Sequence, residues 1–281
     1  MLTTIIPAHN EENWLPACLT ALVAQTDLPD GHGQQVVVAA NGCTDGTVDV
    51  AERFRKPLEA KGFRLDVLDL ARGNKIEALN AADAVAVNGA RAYLDADVVV
   101  GPAMLAELAR VLDTDAPLYA SGTIRIPRSS SPATRAYGRV WTSLPFVADG
   151  VPGIGLFAVS AAGRARWAEF PSIIADDRFA RLNFAEEERT KVAETYDWPL
   201  PDGFWNLVRV RHRWSEGNDE VQAAFPHLEA NDRTRNRTGL NALSLLRTPV
   251  SSAVFVAVYG LGRLRARASR GRGNAHWNRG R

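Results

Sequence analysis

The first 112 residues alternate short apolar runs with amphipathic segments, and this alternation constrains the fold more than any other feature of the sequence. Runs of about four to eight mostly apolar residues are typical of strands, and apolar residues recurring every three or four positions are typical of helices. Strands are predicted over Leu2–Ile6, Val36–Ala40, Arg64–Leu70 and Arg91–Asp95. Helices are predicted over Glu11–Gln25, Thr47–Leu58, Asn74–Val87 and Met104–Leu112. Strands joined by helices require crossover connections, so the sequence predicts an α/β fold with a mainly parallel central sheet flanked by helices.

The pattern changes after about Asp113. Further strands are predicted over Leu118–Ile126 and Gly155–Ser160, and short helices over Ala161–Ala168 and Asp177–Phe184. A Ser/Pro/Arg loop is predicted over Arg128–Arg135, and a flexible loop over the polar, aperiodic stretch Asn218–Thr238. The second half therefore indicates a smaller, mixed region beside the alternating one.

Two carboxylates flank one small residue in Asp95-Ala96-Asp97, where the fourth predicted strand ends. Side chains at positions i and i+2 of a strand point to the same face, so both acids are predicted to face one pocket. An oxygen-lined pocket suits Mg²⁺ or Mn²⁺, although the same three residues also fit a surface turn. Ligands of parallel sheets bind at the carboxyl ends of the strands, which favours the pocket.

Polar segments also follow the other three predicted strands. The first is followed by His9-Asn10-Glu11-Glu12 and the second by Asn41-Gly42-Cys43-Thr44-Asp45, both of which equally fit a turn with a helix cap, Asn10 in the first case and Thr44 or Asp45 in the second. The third leads to Arg72-Gly73-Asn74-Lys75, which places two cations at a helix start. Cations oppose the helix dipole there, so a bound anion such as a diphosphate would explain them, and solvated charges are the alternative.

In their order and spacing, these segments resemble the family-2 inverting glycosyltransferases, nucleotide-sugar enzymes with a GT-A fold. The resemblance runs over roughly residues 1–215 and rests on a string of motifs. The motifs are Ile6-Pro7-Ala8-His9-Asn10-Glu11-Glu12, Asn41-Gly42-Cys43-Thr44-Asp45-Gly46-Thr47, Gly73-Asn74-Lys75 with Ala78-Leu79-Asn80-Ala81-Ala82, and Tyr93-Leu94-Asp95-Ala96-Asp97. It implies a Rossmann-like GT-A sheet and a nucleotide diphosphate sugar as donor.

The resemblance implies a role for each matching residue of the donor site. Asp97 would ligate the metal that bridges the diphosphate, Asp95 would bind a ribose or sugar hydroxyl or join the metal site, and Lys75, with Arg72, would approach the base or the diphosphate. Asn41 stands where the family often has an acid that reads the base, so the base stays open. The remaining nucleotide-sugar contacts are Pro7, Ala8, His9, Asn10, Glu12 (or Glu11), Ala96 and Gly155.

Ile173-Ile174-Ala175-Asp176-Asp177-Arg178-Phe179 resembles the family's acidic element. The resemblance implies that Asp177 is the general base and Asp176 supports it; a helix start with two acids is the alternative. An inverting displacement needs a carboxylate to take the proton of the acceptor hydroxyl, which agrees with this assignment. Arg209-Val210-Arg211-His212-Arg213-Trp214 resembles an element of processive members, but Val210 occupies the usual Gln position, which favours a non-processive enzyme. His212 is a candidate further metal ligand or diphosphate contact.

The predicted organisation is a GT-A domain over residues 1–215, with a nucleotide-sugar-binding half (1–112) and an acceptor half (113–215). A flexible region (216–248) and an amphipathic, Arg-rich segment (249–281) follow. Residues 261–281 carry seven arginines and no acid, next to an apolar run shorter than the roughly 20 residues that span a bilayer. This run is predicted either to contact an anionic membrane or to pack on the core as a helix.

The sequence thus predicts a Mn²⁺- or Mg²⁺-dependent inverting hexosyltransferase of polysaccharide or glycolipid assembly. The donor is expected to be a UDP-sugar first and GDP-mannose second, and the acceptor a saccharide or lipid-linked hydroxyl, with no nucleic acid as partner. Two cysteines without a disulfide framework and a start without a signal-peptide core predict a cytoplasmic protein, at the inner face of the cell membrane if the tail binds there. The alternatives are a sugar nucleotidyltransferase and a non-catalytic membrane-surface binding module.

Overall fold

The computed structural model describes residues 1–28, 34–232 and 248–269. Within these ranges eight strands form one sheet. They are β1 (Leu2–Ala8), β2 (Gln34–Asn41), β3 (Phe63–Leu70), β4 (Ala90–Leu94), β5 (Val99–Val100), β6 (Tyr119–Arg125), β7 (Leu156–Val159) and β8 (Arg189–Asp197).

Helices flank the sheet and form a second region. The α-helices are α1 (Leu15–Val23), α2 (Thr47–Arg53), α3 (Arg55–Glu59), α4 (Lys75–Val85), α5 (Met104–Leu112), α6 (Pro132–Trp141), α7 (Pro145–Ala148), α8 (Ala161–Arg164), α9 (Asp176–Leu182), α10 (Phe204–Ala224) and α11 (Pro249–Ser269). Short 3₁₀-helices cover Glu186–Glu188 and Pro226–Asn231. No helix among the described residues combines the length and the apolar character that crossing a membrane requires.

The sheet runs in the order β3-β2-β1-β4-β7-β6-β8-β5. The first four of these strands are parallel to one another, as are β6 and β8, whereas β7 is antiparallel to both neighbours and β5 is antiparallel to β8. Every residue of β1, β2 and β4 is buried, as expected for strands covered on both faces. The predicted mainly parallel α/β sheet is confirmed, and its parallel half is the part that brings four strand ends to one edge.

The chain divides into two compact units. The first contains residues 1–125, 153–172 and 183–198, and therefore the whole sheet with α1–α5 and α8. The second contains residues 126–152, 173–182 and 199–281, and its described part is helical, with α6, α7, α9, α10 and α11. Each half of the candidate chemistry therefore has its own local framework.

A buried ion cluster ties α4 to β4, the two elements that lead to Lys75 and Asp95. The Tyr93 hydroxyl donates to both carboxylate oxygens of Asp83, at 2.9 and 3.0 Å, and the Arg164 guanidinium lies 2.9 Å from the same carboxylate. Burial, and after it the Asp83 charge, raises the pKa of Tyr93, so the phenol stays protonated and remains a donor. The cluster fixes the end of α4 opposite to Lys75.

Three regions differ from the sequence prediction. Strand β8 and helices α6, α7 and most of α10 fall where no regular element is expected, and the predicted loop over Asn218–Thr238 begins inside α10, which continues to Ala224. Within the flexible region expected over 216–248, residues 216–224 are helical and Pro226–Asn231 form a 3₁₀-helix. The remainder of that region, 233–247, and the end of the Arg-rich segment, 270–281, lie outside the described residues.

Candidate active site

Four polar segments meet at one edge of the sheet because β3, β2, β1 and β4 are adjacent and parallel. Their carboxyl ends lead into Arg72–Lys75, Asn41–Asp45, His9–Glu12 and Asp95–Asp97, respectively. Pro7 and Ala8 are the last residues of β1 and are buried, so only their backbone reaches this edge. In open α/β sheets this is the edge that binds ligands.

Two glycines let the loops after β2 and β3 touch. Gly42 adopts φ +56°, a conformation that favours glycine, and a Cβ there would lie 2.4 Å from the Gly73 nitrogen. Both the backbone conformation and the close contact therefore require glycine at this position. His9 closes the contact from the β1 side: its Nδ1 lies 2.6 Å from the Asn41 carbonyl oxygen, and a Cβ on Gly73 would lie 3.1 Å from its ring. His9 therefore spans three strand ends, and its tautomer that donates from Nδ1 fits this bond.

The loops after β1 and β2 are joined by hydrogen bonds from backbone N–H groups to side chains. Thr44 N–H donates to Asn10 Oδ1 at 2.8 Å, Gly46 N–H to Glu12 Oε2 at 2.9 Å, and Glu12 N–H to Asp45 Oδ2 at 3.2 Å. Asn10 adopts φ +55°, a conformation that asparagine tolerates. These bonds use the polar side chains to shape the loops themselves.

The structure revises two predicted caps. Asn10 does not cap α1, which begins at Leu15 behind Trp14 and has no side-chain cap. Asp45, not Thr44, accepts the Thr47 N–H at the start of α2, at 3.0 Å. Burial alone would raise the pKa of Asp45, but hydrogen bonds from Thr47 and from the Glu12 backbone outweigh it and lower the pKa below its usual 3.8. Asp45 is therefore a carboxylate that organises both loops.

Asn41 is buried at the end of β2, with 1% of its surface exposed. Its Nδ2 donates to the Ala8 carbonyl at 2.8 Å and to the Ala39 carbonyl at 3.3 Å. The Oδ1 atom has no hydrogen-bond partner within the described structure. The Nδ2 group of Asn41 thus links β2 to β1, while its Oδ1 accepts no hydrogen bond within the described structure.

The Asp95-Ala96-Asp97 segment is a turn, because β4 ends at Leu94 and the Val98 N–H donates back to the Asp95 carbonyl at 3.1 Å. The predicted strand alternation therefore does not decide where its two carboxylates point, and Ala96 is buried in the turn. Lys75 Nζ lies 3.0 Å from Asp95 Oδ1, with the side chains 22% and 36% exposed. The turn thus offers an ion-paired carboxylate at Asp95.

Both carboxylates of the turn act on one buried thiol. The pKa of Cys18 is raised far above its usual value by burial first, and then by the charges of Asp97 and Asp95. Cys18 lies on α1 behind this edge and is a neutral packing residue there.

The donor set at this turn fits a hard divalent cation. Carboxylate oxygens are the ligands that Mg²⁺ and Mn²⁺ prefer, and two carboxylates leave positions for phosphate and water oxygens. Among the described residues, no group of three His, Cys, Asp or Glu side chains is arranged to hold a metal ion. The role of Asp95 and Asp97 as metal ligands stays a prediction.

Two glycines place the segment before β7 against the turn. Gly155 adopts φ +74°, and a Cβ there would lie 2.5 Å from Trp198 Cδ1. Its carbonyl accepts the Asp95 N–H at 2.8 Å, which fixes the start of the turn. Gly153 adopts φ +67°, and a Cβ would overlap the Tyr119 hydroxyl. Gly155 therefore positions Asp95 through its backbone.

The exposed cations follow β3. Asn74 caps α4 by accepting the N–H groups of Ile76 and Glu77, at 2.9 and 3.3 Å, so Lys75 is the first helical residue. Arg72 is 82% exposed, and its guanidinium lies 3.2 Å from Glu77. Lys75 already has a carboxylate within reach, whereas Arg72 is held only by a solvated ion pair, which contributes little.

In the second unit, Asp176 and Asp177 are the first two residues of α9. Asp176 is 5% exposed, whereas Asp177 is half-buried, and the Arg178 N–H donates to Asp177 Oδ1 at 2.7 Å. The half-buried position leaves Asp177 the more accessible of the two. The assignment of the base to Asp177 stays a prediction.

Helix α10 holds the segment that leads into α9. Glu220 Oε2 accepts the Ile174 N–H at 2.8 Å, and a Cβ on Gly217 would lie 3.0 Å from Ala175 Cβ and 3.0 Å from Ile174 Cγ2. Sequence analysis missed both residues, because Gly217-Asn218-Asp219 resembles a turn. The available signal was the helical spacing of the apolar residues Leu207, Val210, Trp214 and Val221 across that apparent turn.

An ion cluster anchors α9 from its other side. Arg178 lies 2.7 Å from Glu229 and 3.1 Å from Asp232, and Arg181 lies 3.3 Å from Asp232. The Arg181 guanidinium also stacks over the Phe146 ring, 5.2 Å from its centroid. The acidic helix is therefore fixed by residues that lie about 50 positions later in the chain.

The predicted element around His212 lies in the middle of α10. His212 Nε2 is 3.2 Å from Glu216 Oε1, one helical turn on, and Val210 is buried. His212 belongs to the second unit and Asp95 and Asp97 to the first. Its proposed metal role remains a prediction.

Comparison with solved structures places this architecture among glycosyltransferases. The mannosyltransferase PcManGT from Pyrobaculum calidifontis, in complex with GDP-Man and Mn²⁺, aligns with TM-score 0.58 and 20% identity over 97% of this chain and 76% of its own. Glucosyl-3-phosphoglycerate synthase from Mycobacterium tuberculosis, with Mn²⁺, UDP and glucosyl-3-phosphoglycerate, gives 0.55 and 17% over 79% of each chain. TarS from S. aureus gives 0.51 and 17% over 92% of this chain, which spans about half (49%) of that protein.

At these identities the likeness shows the shared GT-A fold. A comparison with curated protein sequences gives no significant match. The model of the family described as glycosyl transferase family 2 matches residues 3–167, which is more than half of the sequence and contains the four strand-end segments. On this evidence the chain belongs to glycosyl transferase family 2.

Proposed function

We propose that this protein is a metal-dependent inverting, non-processive hexosyltransferase. It moves a sugar from a nucleotide diphosphate sugar to a hydroxyl of a saccharide or lipid-linked acceptor, in polysaccharide or glycolipid assembly. The observation that carries the proposal is the meeting of four polar strand ends at one sheet edge, with the Asp95–Asp97 turn among them. That edge brings together Asn41, the cations Arg72 and Lys75, and the carboxylates of Asp95 and Asp97.

Asp97, with Asp95, is proposed to hold Mn²⁺ or Mg²⁺, which when bound neutralises the charge of the leaving diphosphate. By the family resemblance Asp97 is the candidate metal ligand, and Asp95, whose Oδ1 lies 3.0 Å from Lys75 Nζ, is the candidate for a ribose or sugar hydroxyl. Arg72 is exposed beside the start of α4 and is proposed to leave its ion pair with Glu77 and bind the diphosphate instead.

Asn41 leaves the choice of base open. Its Nδ2 is already used by two backbone carbonyls, and its Oδ1 is buried without a hydrogen-bond partner among the described residues. A side-chain acceptor can take the ring N–H of uracil or guanine and equally the exocyclic amino group of cytosine or adenine, so it does not select among the bases. The expected preference for UDP or GDP over CDP or ADP therefore rests on the family.

On the acceptor side, Asp177 is proposed to take the hydroxyl proton as the oxygen attacks the anomeric carbon. Displacement from the opposite face inverts that carbon and releases the nucleoside diphosphate. Asp176 is adjacent and buried. Two neighbouring negative charges repel each other, which favours uptake of a proton by Asp177. Arg178 donates its backbone N–H to Asp177 Oδ1 and so orients the carboxylate.

Relatives of similar fold have been solved with both candidate donors: PcManGT with GDP-Man, and TarS 1–349 with UDP and with UDP-GlcNAc. UDP-sugars are our first choice and GDP-mannose the second, on the frequency of UDP in the family. The proposed setting is the cytoplasm, with contact at the inner face of the cell membrane through the C-terminal segment.

A panel of nucleotide sugars tests the proposal. Thermal stabilisation and donor hydrolysis are measured with UDP-glucose, UDP-GlcNAc, GDP-mannose, CDP- and ADP-sugars, each with Mn²⁺, with Mg²⁺ and with chelator. We expect a metal-dependent stabilisation by uridine or guanosine diphosphate sugars, and an inverted anomeric product when an acceptor is supplied. Stabilisation that is equal with all bases, or that survives chelation, would contradict the assigned donor site.

A further inference from the structure

Helix α11 resolves the two readings of the apolar C-terminal run, because it packs on the second unit with only one of its faces. Phe255, Val258 and Ala266 are buried, and Phe255 stacks on Tyr137 of α6 with the ring centroids 5.1 Å apart. A Cβ on Gly262 would lie 2.7 Å from Arg211 Cγ of α10. This inner face is an ordinary packing surface.

The opposite face of α11 is apolar as well, and it is exposed. Val250, Val256 and Leu264 are 74%, 56% and 61% exposed, and Leu261 is 36% exposed. Residues three or four positions apart on a helix share a face, so Val250, Ala253, Ala257, Leu261 and Leu264 form one stripe. We call these five residues with Val256 the outer stripe.

The helix contains no charged residue from Pro249 to Gly262, and the stripe ends at Leu264, between Arg263 and Arg265. A helix that packs only against protein normally turns polar residues to water. A contiguous exposed apolar surface of this kind marks an interaction site. We therefore expect the outer stripe to bind an apolar surface.

Cations and an exposed aromatic ring border the stripe. Arg263 and Arg265 flank Leu264, the last residue of the stripe, and Arg267 follows on the same helix. Trp205 of α10 is 60% exposed, and the Arg265 guanidinium lies 5.5 Å from its ring centroid. Tryptophan with neighbouring Arg is the composition that favours the boundary between lipid tails and headgroups.

The charge of the C-terminal sequence indicates that the bound surface is anionic. From Arg233 to Arg281 there are eleven arginines and no acidic residue, whereas residues 1–232 hold 22 basic and all 32 acidic side chains. A second copy meeting this stripe face to face would bring a second cationic border against the first. An anionic lipid surface satisfies both the apolar stripe and the cations.

We propose that the outer stripe of α11, with Trp205 and Arg265 at its border, docks on an anionic bilayer, with the helix lying in the plane of the interface. Lipid binding by the outer stripe does not depend on the proposed transfer chemistry, whereas its consequence for the acceptor rests on the proposed function. It implies that the acceptor is presented at the membrane surface, because the helix that carries the stripe packs on α10, which also holds the acidic element.

A vesicle sedimentation assay with the full-length protein tests this. Partitioning is measured on phosphatidylglycerol–phosphatidylcholine vesicles and on pure phosphatidylcholine, for the wild type and for Val256→Ser/Leu264→Ser. Both side chains are largely exposed, so the variant keeps the inner face. We expect the partition coefficient on anionic vesicles to fall at least about tenfold, since each side chain leaves apolar contact. Val85→Ser, an exposed valine of α4, is the matched control and should bind like the wild type.

A second variant tests the cations, and a separate measurement tests the alternatives. Arg265→Gln/Arg267→Gln should lower binding by about fivefold for each arginine and flatten its salt dependence. Equal binding of wild type and Val256→Ser/Leu264→Ser would overturn the proposal, as would a concentration-dependent dimer that the serine variant abolishes. Metal-dependent stabilisation by UDP without lipid is measured on the same samples, so loss of donor binding and loss of lipid binding are separate results.

Discussion

The two candidate halves of the chemistry are built in different ways. At the strand ends of the first unit, each polar segment directly follows a buried strand, and the loops hold one another through contacts such as Gly42 against Gly73. In the second unit, Asp176 and Asp177 begin a seven-residue helix, and Glu220, Glu229 and Asp232 hold it through contacts that span 46 or more positions. Neighbouring strand ends and the contacts between their loops place the first site, whereas side-chain contacts to one short helix place the second. Substitutions in each should therefore fail differently.

The largest effect is expected at the turn after β4. Asp97→Ala should abolish transfer and the metal-dependent part of nucleotide binding, because it removes the carboxylate that is proposed to hold the metal. Turnover and calorimetric binding of UDP with and without Mn²⁺ measure both. Asp69→Asn, at an exposed position of β3, is the control. Turnover that stays at the wild-type level in chelator-treated Asp97→Ala enzyme would remove the metal from the mechanism.

The acidic element comes next. Asp177→Asn should lower kcat by about 10²–10⁴-fold while donor affinity stays near the wild type, because it removes only the proton acceptor. Asp176→Asn should lower kcat less. Steady-state kinetics with donor and acceptor varied separately make the comparison. If Asp176→Asn proves the more damaging change, the base is assigned one residue too late.

The distant support of the second site predicts a smaller effect. Glu220→Ala should lower kcat by about three- to tenfold, because a hydrogen bond worth about 0.5–1.5 kcal/mol no longer holds the Ile174 N–H. Glu220→Gln should restore activity, since its amide oxygen still accepts. Glu216→Ala, one turn earlier on α10, is the control. A parallel loss of UDP affinity would indicate general damage rather than positioning of the acidic element.

The local support of the first site predicts a loss of stability. Gly42→Ala should lower the free energy of unfolding by more than Gly62→Ala, which isolates the cost of positive φ. Gly62 has φ +81° with nothing within 4 Å of a Cβ, whereas Gly42 has φ +56° and the Gly73 nitrogen at 2.4 Å. We expect about 1 kcal/mol for Gly62→Ala and about 2–3 kcal/mol for Gly42→Ala, by denaturant unfolding. Equal losses of unfolding free energy in the two variants would show that the Gly42–Gly73 contact adjusts to a Cβ at no cost.

The smallest effect concerns pH. The pKa of Asp45 lies below 3.8 in the folded protein, so the ionised group stabilises the fold above the usual pKa, and this contribution is lost as the pH falls through the folded pKa. Asp45→Asn should be slightly less stable than the wild type near pH 7, and the difference should shrink in acid. Melting temperatures between neutral pH and pH 3 measure it. A constant difference over that range would separate the hydrogen bonds of Asp45 from its charge.

The parallel half of the sheet could be predicted from the sequence. Strands β1, β2 and β4 are buried on both faces, so they read as apolar runs, and α5 has the predicted bounds Met104–Leu112. The mixed half could not be predicted in the same way. Strand β8 reads Arg189-Thr-Lys-Val-Ala-Glu-Thr-Tyr-Asp197, a polar sequence that becomes a strand because β6 and β5 supply its hydrogen-bond partners.

The site divides along the same line. The sequence determined which residue types stand at the strand ends, because a buried strand followed by polar residues and glycine is a local pattern. Only the tertiary structure decided that Asp95–Asp97 is a turn fixed by the Gly155 carbonyl, and that Asn41 faces inward with one acceptor in reserve. Only it decided that α11 packs with one face and exposes an equally apolar second face. Apolar periodicity indicates which face of an element is apolar. Which partner covers that face depends on residues far away in the chain, so it is decided only in the folded structure.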